Sequence, residues 1–577
     1  MSSRLTPGRW ACGAACLALL FGAGPACRDR QAPTLSASAP WFVDATKQAG
    51  LAFTHHNGRT GQFYYPEVIA PGVALFDMDG DGDLDVFFVQ SRDFGSSDGG
   101  TATSGSRLFR NDLQVASDGT RTLRFTDVTA ASGIALSLYG MGVAAGDYDN
   151  DGCPDLLVTS LDGNRLLHND CHGVFTDVSA RSGVRDAGWT VSAAFVDLDR
   201  DGWLDLFVGH YLNWDPTLNT PCYGTSGRRV YCAPQVYRAQ QSRLYRNNRD
   251  GTFTDVTMAA GLATQFGPAL GVSTADFDGD GWPDIYVAND REENQLWINQ
   301  HDGTFVNRGL ISGAGLGSSG QAKSGMGVDA GDFDDDGDED IFVTNLTGEG
   351  HELYVNDGKG TFVSAAATSG IGHRSLPYTG FGTAWFDVDN DGWLDLLTVN
   401  GAVQIPESAG SDGATASLGQ EQQLFRNLGN GRFADATDSA PVLRQRDASR
   451  GAAFGDVDND GDTDVVVANN GGPAQLLLNA IGQRQHWIGL RLRNARGSDA
   501  VGARVTLTQG TAHVRWRRAR ADGSYASAND PRVLIGLGNN TGGVHVRVMW
   551  PGGKVEEWPG LPIDRYTTLT EGGGRTP

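Results

Sequence analysis

The chain has 577 residues, 40% of them hydrophobic, 20% charged and 80 of them glycine, with no Gly-x-y period. That is too long for one ordinary domain, apolar enough for real cores, and rich in tight turns rather than collagen-like. A formal net charge of −24 works against nucleic acid or an anionic lipid surface as partner.

From the N-terminus, Arg4 and Arg9 precede an uncharged stretch, Trp10 to Ala26, too short to span a bilayer. Residues 1–26 read as an export signal. Gly24-Pro25-Ala26-Cys27 resembles a bacterial lipobox, with Gly24 where Leu is usual. Two outcomes stay open: a lipoprotein of the outer membrane or cell surface, lipidated at Cys27, or a secreted or periplasmic protein. Residues 27–40 form a tether in either case, and any membrane contact is expected through that lipid alone. Next come FVDAT (42–46) and a polar cluster, His55-His56-Asn57-Gly58 with Tyr64-Tyr65-Pro66-Glu67. Of these, His55, His56, Asn57, Tyr65 and Glu67 are candidates for partner contact; packing between the first repeat and the closing strand is the other reading.

The stretch DMDGDGDLD opens a repeat, D-x-D-x-D-G-x-x-D, that occurs seven times with all five fixed positions kept. The first copy sets Asp77, Asp79, Asp81, Asp83 and Asp85; the second Asp147, Asp149, Asp151 and Asp155, with Cys153 at position 7. The third has Asp197, Asp199, Asp201, Trp203 and Asp205; the fourth Asp276, Asp278, Asp280, Trp282 and Asp284. The fifth has Asp332, Asp334, Asp336, Asp338 and Asp340; the sixth Asp387, Asp389, Asp391, Trp393 and Asp395; the seventh Asp456, Asp458, Asp460, Asp462 and Asp464. Alternate carboxylates at positions 1, 3 and 5, a bend at the glycine of position 6, a carbonyl at 7 and Asp at 9 make an all-oxygen cage. A cage of that charge suits a hard cation of flexible geometry, Ca²⁺ before Mg²⁺. Up to seven Ca²⁺ are expected; they add +14 and would bring −24 to −10. Position 12 is Phe, Val or Thr in every copy, never the bidentate Glu of an EF-hand, and the flanks alternate like strands.

Between the loops an Asn or a DG/NG hairpin precedes a Phe-initiated strand, as in NDCHGVFTDVS (169–179) and NLGNGRFADAT (427–437). About four strands per 50–60 residues predicts an all-β fold, a seven-bladed β-propeller over 41–482 followed by a small C-terminal β domain over 485–572. Gly140-Met141-Gly142, Gly325-Met326-Gly327 and Gly380-Phe381-Gly382 fit inner strands crowded at the axis. LLLN (476–479) lacks a following Phe strand, so FVDAT is expected to complete the seventh blade and close the ring.

Apart from Cys27 and the signal cysteines, four remain, and export favours two local disulfides, Cys153–Cys171 and Cys222–Cys232. The second lies in an insert, 213–240, expected at a rim as a partner contact or a structural cap. Stretches 91–106 and 404–419 read as loops. No H-E-x-x-H or phosphate loop occurs, so no catalytic residue is expected.

The loops in their GVA…DLDVF context resemble the FG-GAP or VCBS repeats of integrin α-type propellers. HWIGLRLRN (486–494), GSYASANDPRVLIGLG (523–538) and WPGGKVEEW (550–558) resemble an ASPIC/UnbV domain. Together they resemble the bacterial relatives of cartilage acidic protein. That resemblance implies Ca²⁺ at the seven matching loops and an extracytoplasmic binding role, and no established reaction; the role expected is non-enzymatic adhesion to, or recognition of, a protein or glycan partner. An enzyme acting on polysaccharide or a redox substrate, and a purely structural envelope protein, are the alternatives.

Overall fold

A computed structural model describes residues 39–94, 105–404, 418–509 and 512–577. The signal, most of the tether and Cys27 lie outside the described residues, as do parts of the two loop stretches, 95–104 and 405–417. From Pro40 onward the chain forms one compact unit, almost entirely β.

Seven four-stranded antiparallel sheets form the ring, six of them in chain order from inner to outer strand and the seventh with its outer strand drawn from the N-terminal end. Their inner strands are Val73–Phe76, Gly140–Gly146, Thr190–Val196, Ala269–Ala275, Val328–Gly331, Gly380–Phe386 and Ser449–Gly455. Each packs on the next, and the last returns to the first, so the sheets form a closed ring of blades. Closure follows the expected route: Phe42–Asp44 is the outer strand of blade 7, with Phe42 opposite Asn479 and Asp44 opposite Leu477. Strands are short and apolar on both faces because each sheet is covered by a neighbour, as with Val86, Phe87 and Phe88, all wholly buried. The expected G-x-G pairs hold the inner strands in blades 2 and 6; in blade 5 the pair precedes the strand, which begins at Val328. A Cβ on Gly327 would stand 1.9 Å from the Phe381 carbonyl of the next blade.

The C-terminal residues build two sheets of their own. One joins His486–Arg493 to Val533–Gly538 and, in parallel, to Tyr566–Thr570. The other orders Ala512–Arg518, Arg504–Gln509, Val544–Met549 and Val555–Leu561. Ile488, Leu490, Val505, Leu507, Val546 and Trp550 form their shared core.

This module does not stand apart from the propeller. Its segment 522–529 enters the axis and hydrogen-bonds the inner strand of every blade. Ala528 pairs with Val73 and Leu75 of blade 1, and the Ala526 carbonyl accepts from Val143 of blade 2. Ala526 N–H donates to Ser192 Oγ of blade 3 at 3.1 Å. The Asp522 carboxylate accepts from Thr274 N–H of blade 4 at 2.6 Å. Ser524 takes Val328 N–H of blade 5 on its carbonyl and Thr383 N–H of blade 6 on its hydroxyl, which donates to the Ala452 carbonyl of blade 7. Seven strand edges that would otherwise converge on an open channel find their partners here.

The opposite mouth is closed by aromatic packing. Tyr65, Trp189, Tyr211, Trp214 and Tyr231 form one buried cluster with Met326, Phe381 and the tip of the inserted segment, Tyr525. Insert 213–240 supplies Trp214 and Tyr231 and carries the Cys222–Cys232 bridge, so the structure makes it a cap. Cys153–Cys171 is also formed.

A Cβ at position 72 would lie 1.7 Å from the Ala526 carbonyl. Gly72→Ala is therefore expected to displace the inserted segment and cost about 2 kcal/mol or more in denaturant unfolding. Gly552→Ala, where the added carbon meets nothing within 4 Å, should stay within about 0.5 kcal/mol of the parent.

Candidate metal centres

Each acidic loop joins the first and second strands of its blade, on the face where the C-terminal module sits. The Asp at position 9 is the base of the structure. In loop 1, Asp85 accepts Met78 N–H on one oxygen and Asn111 N–H, from the third strand, on the other, both at 2.8 Å. The same two bonds recur at Asp155, Asp205, Asp284, Asp340, Asp395 and Asp464. Position 1 accepts the N–H of the position 6 glycine in every loop, as Asp387 does from Gly392 at 2.7 Å. Position 5 accepts from the N–H of position 7, as Asp391 does from Trp393 at 3.0 Å. These bonds turn the carboxylates inward, and the position 6 glycine takes a left-handed φ, from +84° at Gly202 to +107° at Gly337.

Position 3 is different. The Oδ1 atoms of Asp79, Asp149, Asp278, Asp334, Asp389 and Asp458 are buried and accept no hydrogen bond. An orphaned anionic oxygen at the same place in six of seven loops is what a cation would satisfy. One oxygen each from Asp77, Asp79 and Asp85 lie within 4.8 Å of one another, and likewise from Asp147, Asp149 and Asp155 and from Asp197, Asp199 and Asp201. With its carboxylates, glycine bend and lack of available sulfur, the donor set fits a hard cation. Cys153 and Cys171 are spent in their disulfide. Where a cationic side chain approaches, it meets the outer oxygens. Arg426 lies 2.7 Å from Asp389 Oδ2 and 2.8 Å from Asp391 Oδ2, while Asp389 Oδ1 stays without a partner.

Burial raises several of these carboxyls above the ordinary carboxylate range. Burial, before any neighbouring charge, pushes Asp155 and Asp205 to about 8. It also pushes Asp387 to about 8 and Asp197 and Asp456 to about 7, with the loop's other aspartates adding to the rise.

A residue type that the spacing of the loops did not single out joins them into a ring. The Asn at the end of each third strand donates its side-chain N–H₂ to the carbonyl at position 2 of the preceding blade's loop. Asn169 reaches Met78, Asn247 Tyr148, Asn299 Leu198, Asn356 Phe277, Asn427 Phe333 and Asn479 Val388, at 2.8–2.9 Å. Asn111 closes the circle onto Val457 of blade 7 at 2.7 Å. The signal was present: Asn169, Asn247, Asn299, Asn356 and Asn427 each stand six residues before the Phe of the outer strand.

The polar cluster near residue 55 needs a correction. His55, Asn57, Tyr65 and Glu67 are buried and cannot offer themselves to a partner. Asn57 bonds Asn470 and the Glu67 carbonyl; Glu67 accepts from Tyr231 at 2.9 Å; Tyr65 bonds Tyr211 at 2.9 Å. They tie blade 1 to blade 7 and to the cap. Only His56 reaches solvent, beside Asp93.

Seven sheets in a closed ring, each carrying one acidic loop, define a repeat β-propeller. The FG-GAP-like repeat matches residues 77–158, 154–208, 230–287, 276–343, 332–398 and 411–467, more than half the chain, and the chain belongs to that family. The ASPIC and UnbV module matches residues 493–576. Cartilage acidic protein 1 of Homo sapiens is 26% identical over 307 residues, 52% of this chain and 43% of that protein. Its Mus musculus counterpart is 26% identical over 366 residues, 54% and 56%. The chain thus spans about half the length of these curated relatives. Among solved structures, the BP39L lectin from Burkholderia pseudomallei is 12% identical, with a TM-score of 0.39 over 71% of this chain and 96% of that one. BBS1N in complex with ARL6DN is 10% identical, with a TM-score of 0.35 over 77% and 98%.

The raised carboxyl pKa values set a pH dependence. Between about pH 4 and pH 8 the folded, cation-free chain retains protons that the unfolded chain has already released, so its stability falls as pH rises. In chelator the melting temperature is expected to be lower at about pH 8 than at about pH 5.5, and saturating Ca²⁺ should abolish or invert that order; a flat profile in chelator would contradict the assignment of buried, uncompensated carboxyls.

Proposed function

We propose that the chain is a calcium-binding β-propeller that works outside the cytoplasm as a non-enzymatic recognition module for a protein or glycan. The observation that carries the calcium reading is the set of buried Oδ1 atoms at position 3, unpartnered in six loops, with Asp276, Asp338 and Asp462 Oδ1 unpartnered beside them. Asp at positions 1, 3, 5 and 9 would hold the ion, with the carbonyl at position 7. Bound there, Ca²⁺ neutralises the loop and fixes its shape. The protein's own atoms orient the carboxylates and hold the loop against its neighbours through the asparagine ring.

Two disulfides support an oxidising, extracytoplasmic setting. Among the described residues no helix is long and apolar enough to cross a membrane. A recognition role is supported by the closure of both ends of the axis, which leaves outer surfaces as the place for a partner. Neither Tyr65 nor Glu67, the polar groups at the capped mouth, is open to a substrate.

Each native-state site held at about 100 times its Kd adds ~2.7 kcal/mol. Calorimetric titration of the chelated protein should therefore show several Ca²⁺ per chain with a matching rise in melting temperature. Asp278→Asn, in a loop where Asp278 Oδ1 has no partner, should remove one ion and about that much of the Ca²⁺-dependent gain. If chelator changes neither melting temperature nor protease resistance, the reading is wrong.

A further inference from the structure

Two adjoining cavities, about 550 Å³ and 330 Å³, open along the seam between the acidic loops of blades 2 to 5 and the C-terminal module, and Arg200 lines both. Arg496 lines the smaller and Arg504 the larger. Each of these guanidiniums is fixed in the same manner, by one carbonyl and one indole. Arg200 Nε donates to the Pro551 carbonyl at 2.8 Å and lies over Trp282, 5.3 Å from the ring centroid. Arg496 donates to the Gly202 carbonyl at 3.0 Å and lies 5.3 Å over Trp203. Arg504 donates to the Gly337 carbonyl and lies 3.7 Å over Trp516.

None of the three forms an ion pair with a carboxylate among the described residues, although the chain carries 69 Asp and Glu against 45 Lys and Arg. Their neighbours behave otherwise: Arg518 pairs with Glu339 at 2.7 Å and Arg491 with Asp77 at 2.5 Å. Stacking and a single carbonyl bond hold each planar fork in place and leave further N–H groups without an anionic partner. Trp516, only 7% exposed, adds an indole N–H without an acceptor on the wall of the larger cavity. Preset, unpaired guanidiniums in a crevice are a receptor for carboxylates spaced along a chain.

We propose that this seam binds a linear oligouronate, its carboxylates meeting Arg496, Arg200 and Arg504. The proposal deepens the recognition reading and rests on it, because Asp197, Asp276, Asp336, Asp338, Glu339 and Asp357 also line the larger crevice and cations in the loops would lift much of the repulsion of an anionic sugar. A neutral sugar would use the walls but not the three forks.

The full chain, with Ca²⁺ and then in chelator, is titrated calorimetrically with an oligogalacturonate of three to six rings and with its methyl ester. Binding of the free acid, at least about tenfold tighter than the ester and weakened by salt, is expected. Arg496→Gln, at an exposed position, and Arg504→Gln should each weaken it about tenfold, with Ca²⁺ stoichiometry unchanged and, for Arg496→Gln, the melting temperature unchanged as well. Equal affinity for acid and ester, or indifference to both substitutions, would overturn the proposal. Ca²⁺ uptake without oligouronate binding sinks this inference alone. Oligouronate binding that persists in a chain taking up no Ca²⁺ supports the arginine seam and sinks the calcium reading instead.

Discussion

One carboxylate per blade holds the architecture together. The Asp at position 9 receives a backbone N–H from the start of its own loop and another from the Asn that ends the third strand, as Asp85 does from Met78 and Asn111. The side chain of that Asn then reaches the loop of the preceding blade. Loop, sheet and ring are thereby fixed through a single pair of residues, repeated seven times. The arrangement also fixes the electrostatic problem, since it draws four to seven carboxylates per loop onto one face. Hydrogen bonds to charged acceptors are worth more than neutral ones, but burial raises the pKa of the position 9 carboxyl in every loop. The loops satisfy many of their oxygens with backbone N–H groups and leave the position 3 Oδ1 of six loops, with Asp276, Asp338 and Asp462 Oδ1, without a partner.

The C-terminal module answers the rest of that charge. Residues 485–577 carry 13 Lys and Arg against 7 Asp and Glu, in a chain of net charge −24. Arg491 meets Asp77, Arg518 meets Glu339, Arg517 donates to the Gly392 carbonyl, and Tyr566 donates to Asp456 at 2.9 Å. Electrostatic complementarity orients such a surface more than it strengthens it. The strength here comes from the inserted segment, whose backbone and small side chains occupy seven strand edges at once. Small residues are required because the inner strands converge: Gly72 and Gly142 stand against Ala526, where a Cβ from either side would overlap. A module held in this way shares its stability with the ring, and the two stretches form one compact unit.

The loops, the Phe strands and the closing strand were legible in the sequence because each is a local feature at fixed spacing. D-x-D-x-D-G-x-x-D needs only nine residues to declare its chemistry, and FVDAT declares itself as the missing member of a series. The asparagine ring was half legible, as a recurrent Asn whose partner lies in another blade. The role of GSYASAND was not. It has no apolar period, and its partners stand some 70 to 450 residues away, from Ala452 to Val73. His55, Asn57, Tyr65 and Glu67 misled for a related reason. A polar cluster looks like a surface, yet here each polar atom meets another across a junction between blade 1, blade 7 and the cap, and burial is tolerated because the hydrogen bonds are made.

Filling the axis from both ends changes where a propeller of this kind can work. In an open ring the channel mouth gathers polar groups from every blade; here Tyr525 meets the cap by donating to the Ile69 carbonyl at 3.1 Å, and Arg450, wholly buried beneath it, gives its guanidinium to the carbonyls of Val68, Gly401 and Ala402. Those groups are consumed by the fold. What the architecture leaves uncommitted lies at the seam where the module's edge overhangs the acidic loops, because two surfaces of opposite charge that meet along a curved rim cannot match everywhere. Arg200, Arg496 and Arg504 stand in the part that does not match. Arg496 and Arg504 come from the module and Arg200 from the third acidic loop itself, so both sides of the seam answer the ring of like charge.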